Sequence, residues 1–295
     1  MKIRESFNLN TEKAGKIKII IAMFIYGTIS ICVRNIGLPT MMITFFRSFI
    51  GAVFLAVVMM IRKEKFRTDV IKKNLLLLLI SGTCLGFNWF ALFRAYDYTS
   101  VAVSTLCYYM APTLIILASP FVLKESLGRK KLICALVALA GMILVSGIVK
   151  TGVSNIAELK GIAIGLLAAV LYATIILVNK QMKGLSAYER TLMQLLVSAI
   201  VQLPICLFTL DFSGLAFAPS TVIWLLVAGI VYTGIPYTLY FGSLEIVSAQ
   251  TSAILSYIDP IVAVLISVFF FAEGISIPEI VGAVLILGAA FVSEN

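Results

Sequence analysis

The sequence predicts an all-α integral membrane protein of ten transmembrane helices, arranged as two inverted five-helix repeats. Three observations carry this. The chain of 295 residues is 61% apolar and only 13% charged. Its apolar residues fall in runs long enough to cross a bilayer, and the chain resembles itself at a shift of about 148 residues. Soluble domains carry roughly 45–50% apolar and about 25% charged residues. At 61% apolar, a water-facing surface would be covered in adhesive patches. The lipid bilayer is therefore the solvent for most of the chain.

A spanning helix needs about 20 apolar residues. Ten such runs occur, numbered here in chain order: 17–35, 40–61, 74–95, 99–123, 131–149, 160–180, 189–210, 221–241, 247–271 and 278–294. A polar, basic arm, residues 1–16, precedes the first. No A-x-A-like cleavage pattern follows run 1, so it is expected to stay as a helix. Runs 1–5 make the first repeat, 17–149, and runs 6–10 the second, 160–294. No soluble domain fits between them, because the longest connection, Arg62 to Lys73, has only about 12 residues.

Net charge is +9, but the basic residues sit between apolar runs, which points to topology signalling and not to nucleic acid. Eighteen of the 23 Lys and Arg lie in the arm and in the connections after runs 2, 4, 6 and 8, including Lys63, Arg67, Lys131, Lys180 and Arg190. The opposite ends hold only Arg34, Arg94, Lys150 and Lys160, and Arg47 lies inside run 2. The bias predicts both termini in the cytoplasm.

At a shift of 148, Pro112 falls on Pro260, Tyr109 on Tyr257, Ser104 on Ser252 and Glu125 on Glu273. Trp89 meets Tyr237, and at 147 Arg47 meets Gln194. A unit of five helices is odd, so the two copies enter the membrane from opposite sides. Inverted repeats are a common build of secondary transporters.

The absence of histidine excludes imidazole acid–base catalysis and His-ligated metals. The five cysteines lie within apolar runs and form no C-x-x-C pair, so they read as small hydrophobes. No G-x-x-x-x-G-K-[ST] occurs, so ATP does not drive the protein directly. No cofactor or metal is expected.

The stretch Ala95-Tyr96-Asp97-Tyr98-Thr99-Ser100, then Ala111-Pro112, then Leu123-Lys124-Glu125-Ser126-Leu127 resembles the signature of EamA-type transporters of the drug/metabolite transporter superfamily. The second copy reads Ser248-Ala249, Asp259-Pro260 and Phe271-Ala272-Glu273. The resemblance spans nearly the whole chain. It implies a ten-helix permease with a central cavity that moves small organic solutes, often outward. One position departs from the pattern: the residue before Pro260 is acidic, where Ala111 stands in the first copy.

Asp259 is the sharpest candidate for solute or ion binding. It lies about twelve residues into run 9, or roughly 18 Å at 1.5 Å per residue, near the midplane. An ionisable residue there faces a protein interior or a wet cavity. Arg47, also deep, pairs with Asp259, binds a carboxylate or snorkels outward; its repeat partner Gln194 is polar too. Asn88, Trp89, Tyr109, Tyr257 and Tyr237 supply aromatic walls with polar handles, with Tyr108, Tyr26, Tyr172 and Asn179 as weaker candidates. Tyr96, Tyr98 and Trp224 fit an interfacial belt better. Pro112 and Pro260 are expected helix breaks. Glu125 and Glu273, at helix ends on opposite faces, are either solvated termini or gates. Gly82/Gly86 and Gly161/Gly165 have the spacing of close helix packing.

These features favour a secondary-active transporter, by resemblance an exporter, of small organic metabolites such as amino acids or related amines. It would work by alternating access, with protons as the candidate coupling ion. A membrane-embedded enzyme is the alternative, but it would need clustered acid–base or metal-binding groups. A channel is the other, and it would more naturally show rings of like residues. Oligomeric state is not encoded in any feature of the sequence.

Overall fold

The computed structural model describes residues 2–99, 104, 107–145, 156–209, 218–271 and 276–294. Its regular elements are helices. Six are long and apolar enough to cross a membrane: Thr11–Arg34, Thr40–Ile61, Leu75–Ala95, Leu159–Gln181, Ala187–Phe208 and Pro219–Ser243, which are runs 1, 2, 3, 6, 7 and 8. Runs 4 and 10 appear as the shorter apolar helices Ala111–Val122 and Ile280–Ala289, the latter within Ile277–Glu294. Run 5 is Arg129–Val145. The protein is thus an all-helical, multi-pass membrane protein.

The polar arm is not separate from run 1. One helix runs from Lys2 to Gly27, and a short helix, Ile29–Arg34, follows after Thr28. No proline and only Gly15 interrupts residues 2–26, so nothing ends the helix at the edge of the apolar run. In place of a cap, Thr28 Oγ1 donates to Ile25 O at 2.8 Å.

Prolines mark three interruptions in the other runs, although Pro120 and Pro204 sit inside unbroken helices. Run 4 turns at Tyr109–Met110 and restarts as Ala111–Val122, with Pro112 in the first turn. Run 9 is the helix Ala249–Leu255, a turn at Ser256–Tyr257, and the helix Ile258–Phe271. Proline costs nothing at the start of a helix, where its missing N–H would have had no partner. The restarts therefore fall at Pro112 and Pro260, as half-helices and not as kinks. Run 8 departs further: Pro219–Gly229 passes through a π-helical turn, Ile230–Gly234, into Ile235–Ser243, with Pro236 at its start. Pro236 cannot donate to the carbonyl of Tyr232, four residues earlier.

Runs 3 and 6 pack closely, as do runs 2 and 7, 3 and 7, and 5 and 10. Gly82 meets run 7, where a Cβ would lie 2.6 Å from Val197, and a Cβ on Gly141 would lie 2.7 Å from Gly282 O. Run 7 carries two buried amide networks. Gln194 Nε2 donates to Ser81 Oγ and Asn179 Oδ1, and Gln202 Nε2 donates to Ser198 Oγ and Ser48 Oγ. Such interhelical bonds average about 0.6 kcal/mol in membrane proteins. Close packing, not polar adhesion, holds the bundle together.

Candidate solute-binding cavity

A cavity of about 210 Å³ opens in the middle of the bundle. Its lining comes from six runs: Met23, Tyr26, Gly27, Ile29 and Ser30 of run 1, Leu85, Asn88, Trp89 and Leu92 of run 3, Tyr108, Tyr109, Ala111 and Pro112 of run 4, Tyr172 of run 6, Tyr237, Tyr240 and Phe241 of run 8, and Ser256, Asp259 and Ala263 of run 9. Among the described residues, runs 5 and 10, paired with each other, contribute nothing to this wall.

Among the described residues, Asp259 is the one carboxylate or ammonium group in the lining. It stands in the first turn of Ile258–Phe271, where free backbone N–H groups and the helix dipole present positive potential. Its own N–H reaches Ser256 O at 3.3 Å. The Tyr109 hydroxyl donates to Asp259 Oδ2 at 3.4 Å, across the two repeats. Run 1 comes close here: a Cβ on Gly27 would lie 2.7 Å from Asp259 O and 2.5 Å from Val262 Cβ. Only glycine lets run 1 pass this near the acidic turn.

The walls are aromatic. Tyr26 and Tyr237 meet edge to face at 5.6 Å, and Tyr108 contacts both Tyr109 at 5.6 Å and Tyr172 at 5.7 Å. The buried Tyr26 hydroxyl has no hydrogen-bond partner among the described residues. Asn88 Nδ2 donates to Ala168 O at 2.7 Å, tying run 3 to run 6 at the cavity wall. An apolar cleft with few polar groups is what binds small organic molecules.

The structure thus brings together Asp259, Asn88, Trp89, Tyr109, Tyr237 and Pro112. It leaves out three expected residues. Arg47 does not pair with Asp259; it stands behind Trp89, with its Cζ 4.8 Å from the ring centroid. Gln194 is spent on Ser81 and Asn179, away from the cavity. Tyr257 is buried behind the wall and shares a 3.0 Å hydrogen bond with Thr113 Oγ1. Pro260, expected as a helix break, stands in the first turn of the restarted helix Ile258–Phe271. Tyr240, Phe241 and Ser256 are lining residues that the sequence reading missed. The signal for the first two was available: Tyr240 and Phe241 lie three and four residues from Tyr237, on one helix face.

Glu125 does more than end a helix. Its Oε1 accepts the backbone N–H of Ala249 at 3.0 Å, at the start of run 9, and lies 3.7 Å from Lys180 Nζ. Lys180 Nζ also donates to Val247 O at 2.9 Å, and Lys131 Nζ reaches Ser248 Oγ at 3.4 Å. Runs 4, 5 and 6 thereby converge on the first turn of run 9. Glu273, the repeat equivalent of Glu125, lies outside the described residues. Nearby, Glu189 accepts from Arg67 N at 2.8 Å and from its guanidinium, and Arg190 pairs with Glu245. The Glu189 bond raises the affinity of the Arg67 guanidinium, in the loop after run 2, for its proton.

A helical bundle around a central, largely aromatic cavity with an acidic handle fits a class: membrane carriers of small solutes. The model of the EamA-like transporter family matches residues 13–147 and 159–294, and the chain belongs to that family. It is a membrane transporter and not an enzyme. A protein of Bacillus subtilis (strain 168), named uncharacterized transporter YxxF, is 30% identical over 286 residues, covering 95% of this chain and 89% of its own. An uncharacterized transporter of Archaeoglobus fulgidus is 28% identical over 281 residues, covering 95% of this chain and 96% of its own. One crystal structure superposes with a TM-score of 0.84 at 18% identity, covering 95% of this chain and 96% of that one. That likeness is one of fold.

Proposed function

We propose that the protein is a secondary-active exporter of small organic metabolites bearing an amine, such as amino acids or related amines. In this reading it works by alternating access as ten spans in two inverted repeats, in the cell membrane, with both termini in the cytoplasm. The charge bias of the connections supports the orientation, and the resemblance to EamA-type carriers supports export. One observation carries the solute class: Asp259 faces a cavity whose wall includes six tyrosines, Trp89 and Phe241. A carboxylate supplies the counter-charge for an ammonium group, and aromatic faces attract cations. With no solute bound, the same carboxyl holds a proton, which is how a proton gradient would drive exchange. The Glu125–Lys180–Ala249 cluster is the gate at the basic end. It must part for the cavity to open there.

The test is counterflow in liposomes, with purified protein and a panel of radiolabelled amines and amino acids. Wild type is expected to exchange at least one of them saturably, and an imposed pH gradient is expected to drive net uptake. Asp259→Asn should insert and fold yet lose gradient-driven transport. Normal transport by that variant would show the carboxyl to be structural.

A further inference from the structure

Arg190 is a buried charge that neither the cavity lining nor the Glu125 cluster uses. It is the fourth residue of Ala187–Thr209, in run 7, and it is fully buried. That placement is costly twice over. A charge taken out of water is expensive unless it is paired and hydrogen-bonded, and the first turn of a helix presents positive potential, which opposes a cation. Membership of the basic connections accounts for the sign of the charge. It does not account for the burial, because an exposed residue signals orientation equally well.

The partners show what the charge holds. Nη2 pairs with Glu245, in the link between runs 8 and 9. Nη1 donates to the carbonyl of Phe241 at 2.9 Å. The two acceptors are not alike. Glu245 is 47% exposed, so water can serve it. The bond to Phe241 O is buried, and a buried carbonyl that loses its donor is left unsatisfied.

The inner half of run 8 depends on such a hold. Ile235–Ser243 has only nine residues, and the π-helical turn Ile230–Gly234, with Pro236, separates it from Pro219–Gly229. A continuous helix fixes its own direction through its hydrogen-bond ladder. A severed one is directed by what meets its ends. Phe241 is among the last four residues of this half-helix, whose carbonyls have no partner within it. A cation there bonds an orphan carbonyl and meets the negative end of the helix dipole. Gly242 keeps the two runs close, since a Cβ on it would lie 2.8 Å from Ala187 Cβ.

The same half-helix carries three rings of the cavity wall, Tyr237, Tyr240 and Phe241. Phe241 lies 5.2 Å from Tyr237 and 5.8 Å from Tyr240, centroid to centroid. The rings pack as one unit, so a shift of the half-helix moves all three.

We propose that Arg190 is a positioning residue for solute binding: from outside the cavity it fixes Tyr237, Tyr240 and Phe241 by holding the Phe241 carbonyl. This rests on the reading of the cavity as the solute site.

Trp89 supplies a readout that needs no solute. The chain has two tryptophans; the other, Trp224, is not among the lining residues. In a Trp224→Phe background, acrylamide quenching reports access to Trp89, which lines the cavity beside Tyr237. Arg190→Met keeps the buried volume and removes both contacts, whereas Glu245→Gln removes only the ion pair. Quenching by acrylamide is expected to rise in Arg190→Met and to stay at the wild-type level in Glu245→Gln. In counterflow of the radiolabelled amines and amino acids that wild type exchanges, Arg190→Met should raise half-saturation by about tenfold, the equivalent of one hydrogen bond to a charged group. The maximal rate should hold. Unchanged quenching in Arg190→Met, an equal rise in Glu245→Gln, or a lost maximal rate at unchanged half-saturation would overturn the proposal. Should Arg190→Met fail to fold, Glu245→Gln still decides, because a half-exposed side chain tolerates that change: greater access to Trp89 there would show that the ion pair, and not the carbonyl, holds the wall. If wild type exchanges no member of the panel, the solute reading fails, while the quenching still decides what Arg190 holds.

Discussion

Run 4 breaks at Tyr109–Met110 and restarts with Pro112 in its first turn, while run 9 breaks at Ser256–Tyr257 and restarts with Pro260 in its first turn. The residue before the proline differs: Ala111 in the first copy, Asp259 in the second. The tyrosines differ in use as well. Tyr109 reaches across to Asp259 and lines the cavity, whereas Tyr257 turns away to Thr113. The proline sets the same half-helix geometry in both copies, because that depends only on a missing N–H and a fixed φ. The charge is placed in one copy only. A duplicated backbone thus carries its chemistry on one side only.

The largest effect that follows from this contrast is at Asp259. Removing one partner of a buried, hydrogen-bonded charge pair costs about 2–5 kcal/mol, which is roughly thirtyfold or more in solute affinity. Asp259→Asn should show that loss in counterflow while keeping the wild-type melting profile within a few degrees. Adding Ala111→Asp to that variant sharpens the comparison. If the two breaks are interchangeable, transport returns. We expect it not to return, because Ala111 has no counterpart of Tyr109 donating to it.

The next effect comes from the close passage of run 1. Gly27→Ala places a methyl group against Val262 and the carbonyl of Asp259. Overpacking of this kind costs about 1–3 kcal/mol. Melting should fall by several degrees and transport should fall with it, since the acidic turn is pushed off its position. Gly288, with nothing within 4 Å of an added Cβ, is the control, and Gly288→Ala should leave both unchanged.

The contrast also marks what the sequence could reveal. Asp259 was legible because a carboxylate inside a twenty-residue apolar run has few ways to exist. The breaks were legible because proline acts locally. The sides of helices were not. Gln194 and Asn88 are both polar and deep, yet one lines the cavity wall and the other closes a knot with Ser81 and Asn179. Which face of a run points inward depends on neighbours that only the packed bundle supplies. Arg47 illustrates the same limit. Its depth was readable, but its partners, Thr233 Oγ1 and Tyr232 O, stand on a π-helical turn of another run.

Tyr257 and Tyr109 should then give opposite phenotypes. Tyr257→Phe removes a hydroxyl from a buried pair and leaves Thr113 Oγ1 without that partner. The cost of an unsatisfied buried polar group is about 1–3 kcal/mol, so melting should drop while solute affinity in counterflow holds. Unchanged melting would mean that Thr113 finds another acceptor within its own helix.

Tyr109→Phe should do the reverse, and more weakly. The ring still packs edge to face on Tyr108, 5.6 Å away, so the wall keeps its shape and melting should not move. What disappears is a donor to Asp259 at 3.4 Å, well beyond the usual 2.7–2.8 Å of a strong O–H···O bond. A bond that long contributes at the low end of about 0.5–1.5 kcal/mol, or roughly two- to fivefold in affinity. The measurement is half-saturation in counterflow beside wild type and Asp259→Asn. A loss as deep as that of Asp259→Asn would mean that the hydroxyl itself binds the solute. No change at all would mean that Tyr109 and Tyr257 are equivalent after all, and that the one-sidedness of the cavity rests on Asp259 alone.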